Sequence, residues 1–489
     1  MACRGQSQTL VPQLSFAFVA LRSGCSSEPP QLLALRKRTD FSLVEISVFP
    51  TLSELEAGHP VEPVLSQRLL TASHDGGHHL SSLIWHFCPG AWFAVSTQTM
   101  INSSTAGQST GTRPHALFLI DSLESAHGTE MLAVILAHEL VAQGWQVSFY
   151  TARYTPGRSP WTPALQARSI RVYRPWFGFL RRFQLPHRQV VALLRHHARI
   201  RHPALIWSPT NDILTCLALQ QRPGPSIPFF VHDPSEASPA CPNYEPLWFK
   251  VCNQVTALSV HGERQLQSAK EYYQMTRPVE IVRPSSLPAL KVSKLDLDKE
   301  VLRLGQFGRL ATMKGSLFSV AALADCLSRG GKAELHFFGD GPMKPATQEL
   351  AYSLGISGKV LFHGRYHPEQ LDTLAAGIDV GLMPSTYEGF GLVMLEMLSR
   401  GRPVIASDVG SSQEVLGGGG GWVVPKANTV ALADAMLDCC LNRPEVLRKA
   451  AEGPIVWANQ FTPAKMAERY LAFWSSHCQG LPPYKSCQA

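Results

Sequence analysis

The chain has 489 residues, 45% of them hydrophobic and 17% charged, with a net charge of +7. That length suits two or three domains, and that balance excludes a disordered chain. The eleven cysteines form no Cys-x-x-Cys pair and no His/Cys cluster at zinc spacing, and no apolar run reaches the ~20 residues of a membrane-spanning helix. Scattered thiols of this kind point to a reduced, cytoplasmic setting, which still allows peripheral attachment to the inner face of a membrane.

Residues 1–99 mix short apolar runs with Pro, Ser and Gly and hold no sustained period. Residues 102–112 are rich in Ser, Thr and Gly and read as a linker. The stretch 1–112 is therefore expected to be a poorly ordered leader and linker, with Met100 a candidate start. A buried-type strand follows at 116–120, then a turn, a helix at 130–143 stopped by Gly144, and a strand at 146–150. That is a βαβ opening. Further strands are predicted at 169–173, 204–207, 228–231, 255–260 and 279–282, with helices between them. They make 113–290 a parallel, doubly wound domain.

From Leu140 to Asn211 there is no Asp or Glu, while eleven Arg occur. The part from Arg171 to His202 mixes Arg and His with Trp176, Phe177, Phe179, Leu180 and Phe183, then an apolar stripe at 190–194. Two readings stand side by side: a solvated basic helix packed by its apolar side, and a surface for anionic lipid. No nucleic-acid motif accompanies it.

After a polar linker at 287–299 a second alternating series is predicted. Its strands lie at 301–307, 333–338, 360–363, 378–383, 403–406 and 422–424. Its helices lie at 316–328, 343–354, 368–376, 391–399 and 429–441. The second domain is assigned to 291–462, and a last helix at about 463–474, with the tail to 489, is expected to cross back onto the first domain. The pair Asp296 and Asp298 lies in the linker among Lys294, Lys299 and Glu300 and reads as solvated charge, so no essential metal is expected.

The segment Pro384-Ser385-Thr386-Tyr387-Glu388-Gly389-Phe390-Gly391 enters from a strand and opens a helix that carries Glu396. Gly389 and Gly391 permit a tight turn, and the helix start offers unpaired N–H groups and positive dipole, a seat for phosphate. Glu396 lies about two turns along, so it can face the same crevice as Glu388. A carboxylate beside a phosphate seat suits a sugar hydroxyl.

This segment resembles the Glu-x7-Glu signature of retaining glycosyltransferases of family 4, which have the GT-B fold. Gly308-Arg309-Leu310 with Met313-Lys314-Gly315 resembles that family's phosphate loop, and Phe338-Gly339-Asp340-Gly341-Pro342 its strand-end turn under the nucleotide. The likeness is strong over 300–475, looser over 113–290 and absent before 112. It implies an α/β chain with two Rossmann-like doubly wound domains facing across a cleft. It implies a hexosyl transfer from a UDP- or GDP-sugar to a carbohydrate or lipid-linked acceptor, with retention and without a metal cofactor. Arg309 and Lys314 would hold the diphosphate, Glu396 the ribose and Glu388 the transferred sugar. His232, in Val231-His232-Asp233, resembles the family's histidine at the donor sugar. Gly308, Gly339, Gly341, Gly389, Phe390 and Gly391 would shape the nucleotide seat. Gly128 is the one glycine left where relatives often carry two, at the acceptor side. A sugar-nucleotide epimerase of the same fold and a non-catalytic binding protein are the competing readings.

Overall fold

The computed structural model describes six strands between residues 16 and 96, then residues 113–125, 128–174, 187–221, 227–236, 246–290 and 292–483. The chain divides into two compact units, Met1–Thr110 and Gly111–Ala489. In the first, strands β1 (Phe16–Leu21), β2 (Gln31–Lys37), β3 (Leu43–Phe49) and β4 (Arg68–Leu70) pair antiparallel in that order. β5 (Ser82–Phe87) and β6 (Ala91–Ser96) form an antiparallel hairpin. These strands fall where the sequence shows no period. Runs such as Ser82–Phe87, SLIWHF, are apolar without strict alternation, and alternation is what announces a half-buried strand. The rest of the expected leader and its linker lies outside the described residues.

The second unit contains two wholly parallel sheets. The first has strands β7 (His115–Ser122), β8 (Gln146–Arg153), β9 (Arg171–Tyr173), β10 (Leu205–Ser208), β11 (Phe229–Asp233), β12 (Ala257–Val260) and β13 (Val279–Ile281). Their spatial order is β13-β12-β11-β10-β7-β8-β9. The second has β14 (Leu302–Phe307), β15 (Ala333–Phe338), β16 (Val360–Gly364), β17 (Val380–Met383), β18 (Val404–Ser407) and β19 (Gly421–Val424), in the order β16-β15-β14-β17-β18-β19. Each order turns back on itself, at β7/β10 and at β14/β17. Crevices open at such switch points, beyond the carboxyl ends of the strands. Helices cover both faces, so central strands are continuous apolar runs: Ala116 to Ile120 are all buried.

The helix Gly128–Ala142 is apolar on nearly every side because it is covered on nearly every side. It packs on β7 and β8, and the final helix Pro463–His477 joins the same cluster through Met466, Tyr470, Phe473 and Trp474. Those residues recur at helical spacing and meet Trp207 and Phe230 of the first sheet; the rings of Trp207 and Tyr470 lie 5.2 Å apart. Elsewhere the two domains are joined by charge. Arg264 lies 2.5 Å from Asp408, and Glu414 accepts from the Glu263 N–H at 2.9 Å and pairs with Arg283 at 3.2 Å.

Three elements match the sequence expectation residue for residue: Ser316–Ser328, Ala333–Phe338 and Thr429–Leu441. The helix Arg443–Gln460 has no counterpart in that expectation, and Gly453-Pro454 reads as a breaker. The helix runs through it because it is well started, with Asn442 accepting from the Glu445 N–H and Pro444 in the first turn. Gly453 lets it lie against the helix Leu392–Ser399: a Cβ there would stand 3.1 to 3.3 Å from Leu398.

Candidate functional site at the carboxyl ends of the second sheet

Three loops leave β14, β15 and β17 side by side. Gly308, with φ +117°, donates its N–H to Phe338 O at 2.9 Å, and Leu310 donates to Asp340 O at 3.0 Å. A Cβ on Gly339 would lie 1.9 Å from Gly308 O, and one on Gly341 2.4 Å from Leu310 O. The first two loops thus lie backbone on backbone, which only glycine permits.

The third loop is fixed to the first in the same way. Gly315, with φ +71°, ends the short turn Thr312–Lys314, and its Cβ would stand 2.0 Å from Pro384 O. Thr386 donates its N–H to Met313 O at 2.8 Å, and Gln306 donates to Lys314 O at 2.7 Å while accepting from Ser319. The clamp brings Lys314 Nζ to 2.5 Å from Glu388 Oε1, with the Ser385 hydroxyl donating to the same oxygen at 2.8 Å. The two side chains are 28% and 12% exposed. Such a charge-assisted pair in a partly dry site is strong, and it is open to exchange with a ligand's charge. Arg309 is exposed and has no ion-pair partner among the described residues. Glu396 is partly buried, and its carboxylate makes no hydrogen bond among the described residues. Burial pushes its pKa up to about 7, against the pull of Arg400 and then Lys314.

The first domain approaches the same loop. A Cβ on Gly389 would lie 1.9 Å from Pro234 O, and the Gln265 amide donates to Gly389 O. The Tyr387 hydroxyl accepts from the Glu236 N–H at 3.1 Å. The Phe390 ring is buried, 5.4 Å from His261 and 5.9 Å from Phe461. Gly391, with φ +92°, caps the helix Leu392–Ser399. Gly128 opens the helix Gly128–Ala142 and touches Leu392: a Cβ there would lie 2.8 Å from its Cδ1.

His232 sits deeper than a ligand contact requires. It is fully buried; Nδ1 lies 2.9 Å from Ser259 Oγ and Nε2 lies 3.1 Å from His261 Nδ1. Burial, then the neighbouring His261, holds His232 far below its ordinary range, and burial takes His261 down to about 3. Both rings are neutral at pH 7. Beside them Asp233 accepts from Tyr273 OH at 2.7 Å, from Asn211 at 3.2 Å and from the Ser235 N–H at 3.0 Å. His261 and Gln265 are contributors that the sequence pattern leaves out, while Ser385 and Tyr387 stand within its segment without an assigned role. His261 comes to His232 through pairing of β11 with β12, where His232 faces Ser259, a contact that no local spacing reveals.

Asp298 N–H donates to Asp296 in the linker, and no group of three His, Cys, Asp or Glu among the described residues is arranged to hold a metal. Of the acid-free stretch, the helix His187–Arg201 is described, and it buries Val190, Val191, Leu194 and Ala198. Arg181, Arg182 and Phe183 lie outside the described residues. No described helix is long and apolar enough to cross a membrane.

Residues 301–442, the heart of this site, match the family model described as Glycosyl transferases group 1. The described domains also superpose on HepE of Anabaena, solved with UDP and glucose, with a TM-score of 0.61 at 17% identity, over 74% of this chain and 100% of that one. The architecture is GT-B. Among curated relatives, an uncharacterized glycosyltransferase of Methanocaldococcus jannaschii is 38% identical over 121 residues, which are 24% of this chain and 31% of that protein. The α-D-kanosaminyltransferase of Streptomyces kanamyceticus is 32% identical over 146 residues, 30% of this chain and 38% of that protein. The chain thus spans about a third of the length of these two relatives.

Proposed function

We propose that the protein is a hexosyltransferase that takes its sugar from a UDP- or GDP-sugar seated at the carboxyl ends of β14, β15 and β17. The observation that carries this reading is the Lys314–Glu388 pair, 2.5 Å apart beside glycine loops closed by both domains. A diphosphate draws Lys314 away from Glu388. The freed carboxylate then accepts from hydroxyls of the sugar, so one displacement prepares both ends of the donor. Arg309, without an ion-pair partner among the described residues, adds a second cation. The N–H groups around Gly389 to Gly391 face developing negative charge, and Glu396 accepts from the ribose. The names of the relatives, and the UDP and glucose of HepE, support a sugar nucleotide as donor.

The transfer retains configuration. The bond from C1 to the diphosphate oxygen breaks, and the acceptor oxygen bonds C1 on the same face. The acceptor's proton passes to the leaving phosphate oxygen. Glu388, freed from Lys314 but still accepting from Ser385, serves as an acceptor for sugar hydroxyls and not as a nucleophile. His232 acts on the cleft through His261 and Phe390. The acceptor is a carbohydrate or lipid-linked glycan on the first domain's side. The exposed Arg188, Arg199 and Arg201 of the helix His187–Arg201 favour an anionic membrane surface nearby. Arg309 and Lys314 supply the positive charge, and turnover is expected to survive EDTA.

The test is incubation of the full chain with labelled UDP- and GDP-sugars, with and without a membrane extract as acceptor source. Acceptor-dependent release of nucleotide with product of retained configuration is expected. Acceptor-independent conversion of the sugar nucleotide would favour an epimerase, and selective binding without turnover a non-catalytic protein.

A further inference from the structure

Two of the six cysteines among the described residues flank one turn, far from the donor loops. Cys326 stands near the end of the helix Ser316–Ser328 and Cys440 near the end of the helix Thr429–Leu441. The helices share a core cluster in which Val320, Leu323 and Cys326 join Leu432, Ala433 and Met436. Arg329, just past the first helix, ties it to the middle of the second: its Nη1 is 2.5 Å from Asp434 and 3.3 Å from Asp325. The turn that follows presses on both sulfurs. A Cβ on Gly331 would lie 2.4 Å from Cys326 Sγ, and Cys440 Sγ lies 3.7 Å from Lys332 O. Both sulfurs therefore lie against the same two-residue turn, Gly331-Lys332.

Their surroundings differ as those of an attacking and a resolving thiol do. Cys326 is fully buried, whereas Cys440 is partly exposed. The neighbouring Cys326 thiol first, then the Lys332 backbone and Arg443, lower the Cys440 thiol, while the nearness of Cys440 and then burial raise Cys326. Arg443 stands three residues on, with a buried Nη1 that has no hydrogen-bond partner among the described residues. A partly exposed thiol beside a cation is the setting in which thiolate forms and reacts. Cys439, next in sequence, points into the core, and burial raises it. Cys478 is partly exposed like Cys440, but burial raises its thiol too.

We propose that Cys326 and Cys440 are a redox-responsive pair, closed to a disulfide by peroxide and reopened by a thiol reductant. Cys440 thiolate attacks one peroxide oxygen; an S–O bond forms, the O–O bond breaks, and the departing hydroxide takes a proton to become water. Cys440 is then a sulfenic acid. Cys326 gives up its proton, its sulfur bonds Cys440 sulfur, and hydroxide leaves as a second water. Two thiols are oxidised and one peroxide is reduced. The bridge joins the far end of the helix that begins after Lys314-Gly315 to its neighbour in the core.

The test is exposure of the full chain to excess hydrogen peroxide at pH 7.5, alkylation of the remaining thiols, and peptide mapping without reduction. The expected product is a linked pair of peptides carrying Cys326 and Cys440, formed about tenfold faster than Cys478 is lost, and reopened by dithiothreitol. Cys440→Ser should leave Cys326 reduced. Cys326→Ala should leave Cys440 as a sulfenic acid that dimedone traps. If Cys440 is oxidised no faster than Cys478 in the native chain, or proceeds to sulfinic acid without linking to Cys326, the proposal fails. Both of those readings come from the native chain, so they stand whatever the variants do to folding.

Discussion

The carboxyl ends of the two parallel sheets are built in opposite ways. In the second domain, glycines press backbone on backbone and leave charge at the surface: Arg309 is exposed, and among the described residues the Lys314 and Glu388 side chains pair only with each other and Ser385. In the first domain, side chains fill the space: His232, Asp233, Ser259 and His261 are all buried, and each bonds another residue. One end is a rigid mould with exchangeable charge, suited to a ligand of fixed shape such as a diphosphate. The other is a polar core that holds the loop 388–391 in place from behind.

The largest effect expected from this contrast is on folding. Gly339→Ala puts a methyl 1.9 Å from Gly308 O at a φ of +148°, so backbone must move. A loss of about 3 kcal/mol or more is expected in urea unfolding of the full chain. Gly144→Ala, in the first domain, meets nothing within 4 Å and costs only its left-handed φ of +84°, about 1 kcal/mol. Equal losses would mean that the close backbone contact of Gly339 with Gly308 O adds nothing beyond a left-handed φ.

Next comes chemistry. Lys314→Ala and Arg309→Ala should each lower kcat by about a hundredfold or more, worth ~3 kcal/mol of barrier, while leaving the melting temperature nearly unchanged. Wild-type turnover in both would remove the donor site from this face. The first domain should respond the other way. Tyr273→Phe removes a donor 2.7 Å from the buried Asp233 carboxylate and should cost about 1 to 3 kcal/mol of stability. Burial already raises Asp233 to about 6, against the hydrogen bonds from Tyr273 and Ser235. The loss should therefore be full at pH 8, where the group is charged, and smaller near pH 5. A pH-independent loss would mean that the hydroxyl matters only for packing.

The same contrast explains what the sequence made legible. The donor loops are local: Gly308 to Gly315, Gly339 to Gly341 and Glu388 to Glu396 each lie within nine consecutive residues, where glycine spacing and charge carry the signal. The first domain's interior is assembled by sheet pairing between residues such as His232 and His261, and by Tyr273 reaching back 40 residues to Asp233. No periodicity records such contacts. The ionic seam of Arg264, Asp408, Arg283 and Glu414 is hidden for the same reason, since its members lie more than a hundred residues apart. Even the Lys314–Glu388 pairing, between two residues whose importance is visible, follows only once Gly315 has been brought against Pro384.

The smallest effect expected is the most specific to the ribose role. Glu396 has its pKa raised to about 7, so the folded protein holds this proton more tightly than the unfolded chain, where the ordinary value is near 4.5. Stability from this group therefore falls as pH rises from about 4.5 to 7 and is level above. Because Glu396 is not fully buried, the change is on the order of 1 kcal/mol. Nucleotide binding should run the other way. Above pH 7 the carboxylate is charged and accepts from both ribose hydroxyls; below it, the protonated acid accepts less well. UDP or GDP affinity, whichever binds, should rise several-fold between pH 6 and 8 in the native chain. In Glu396→Gln the rise should shrink to what the nucleotide's own phosphate contributes, and the stability slope between pH 4.5 and 7 should flatten with it. If the slope flattens and the affinity profile does not, Glu396 is a buried carboxylate of the fold and the ribose is held elsewhere.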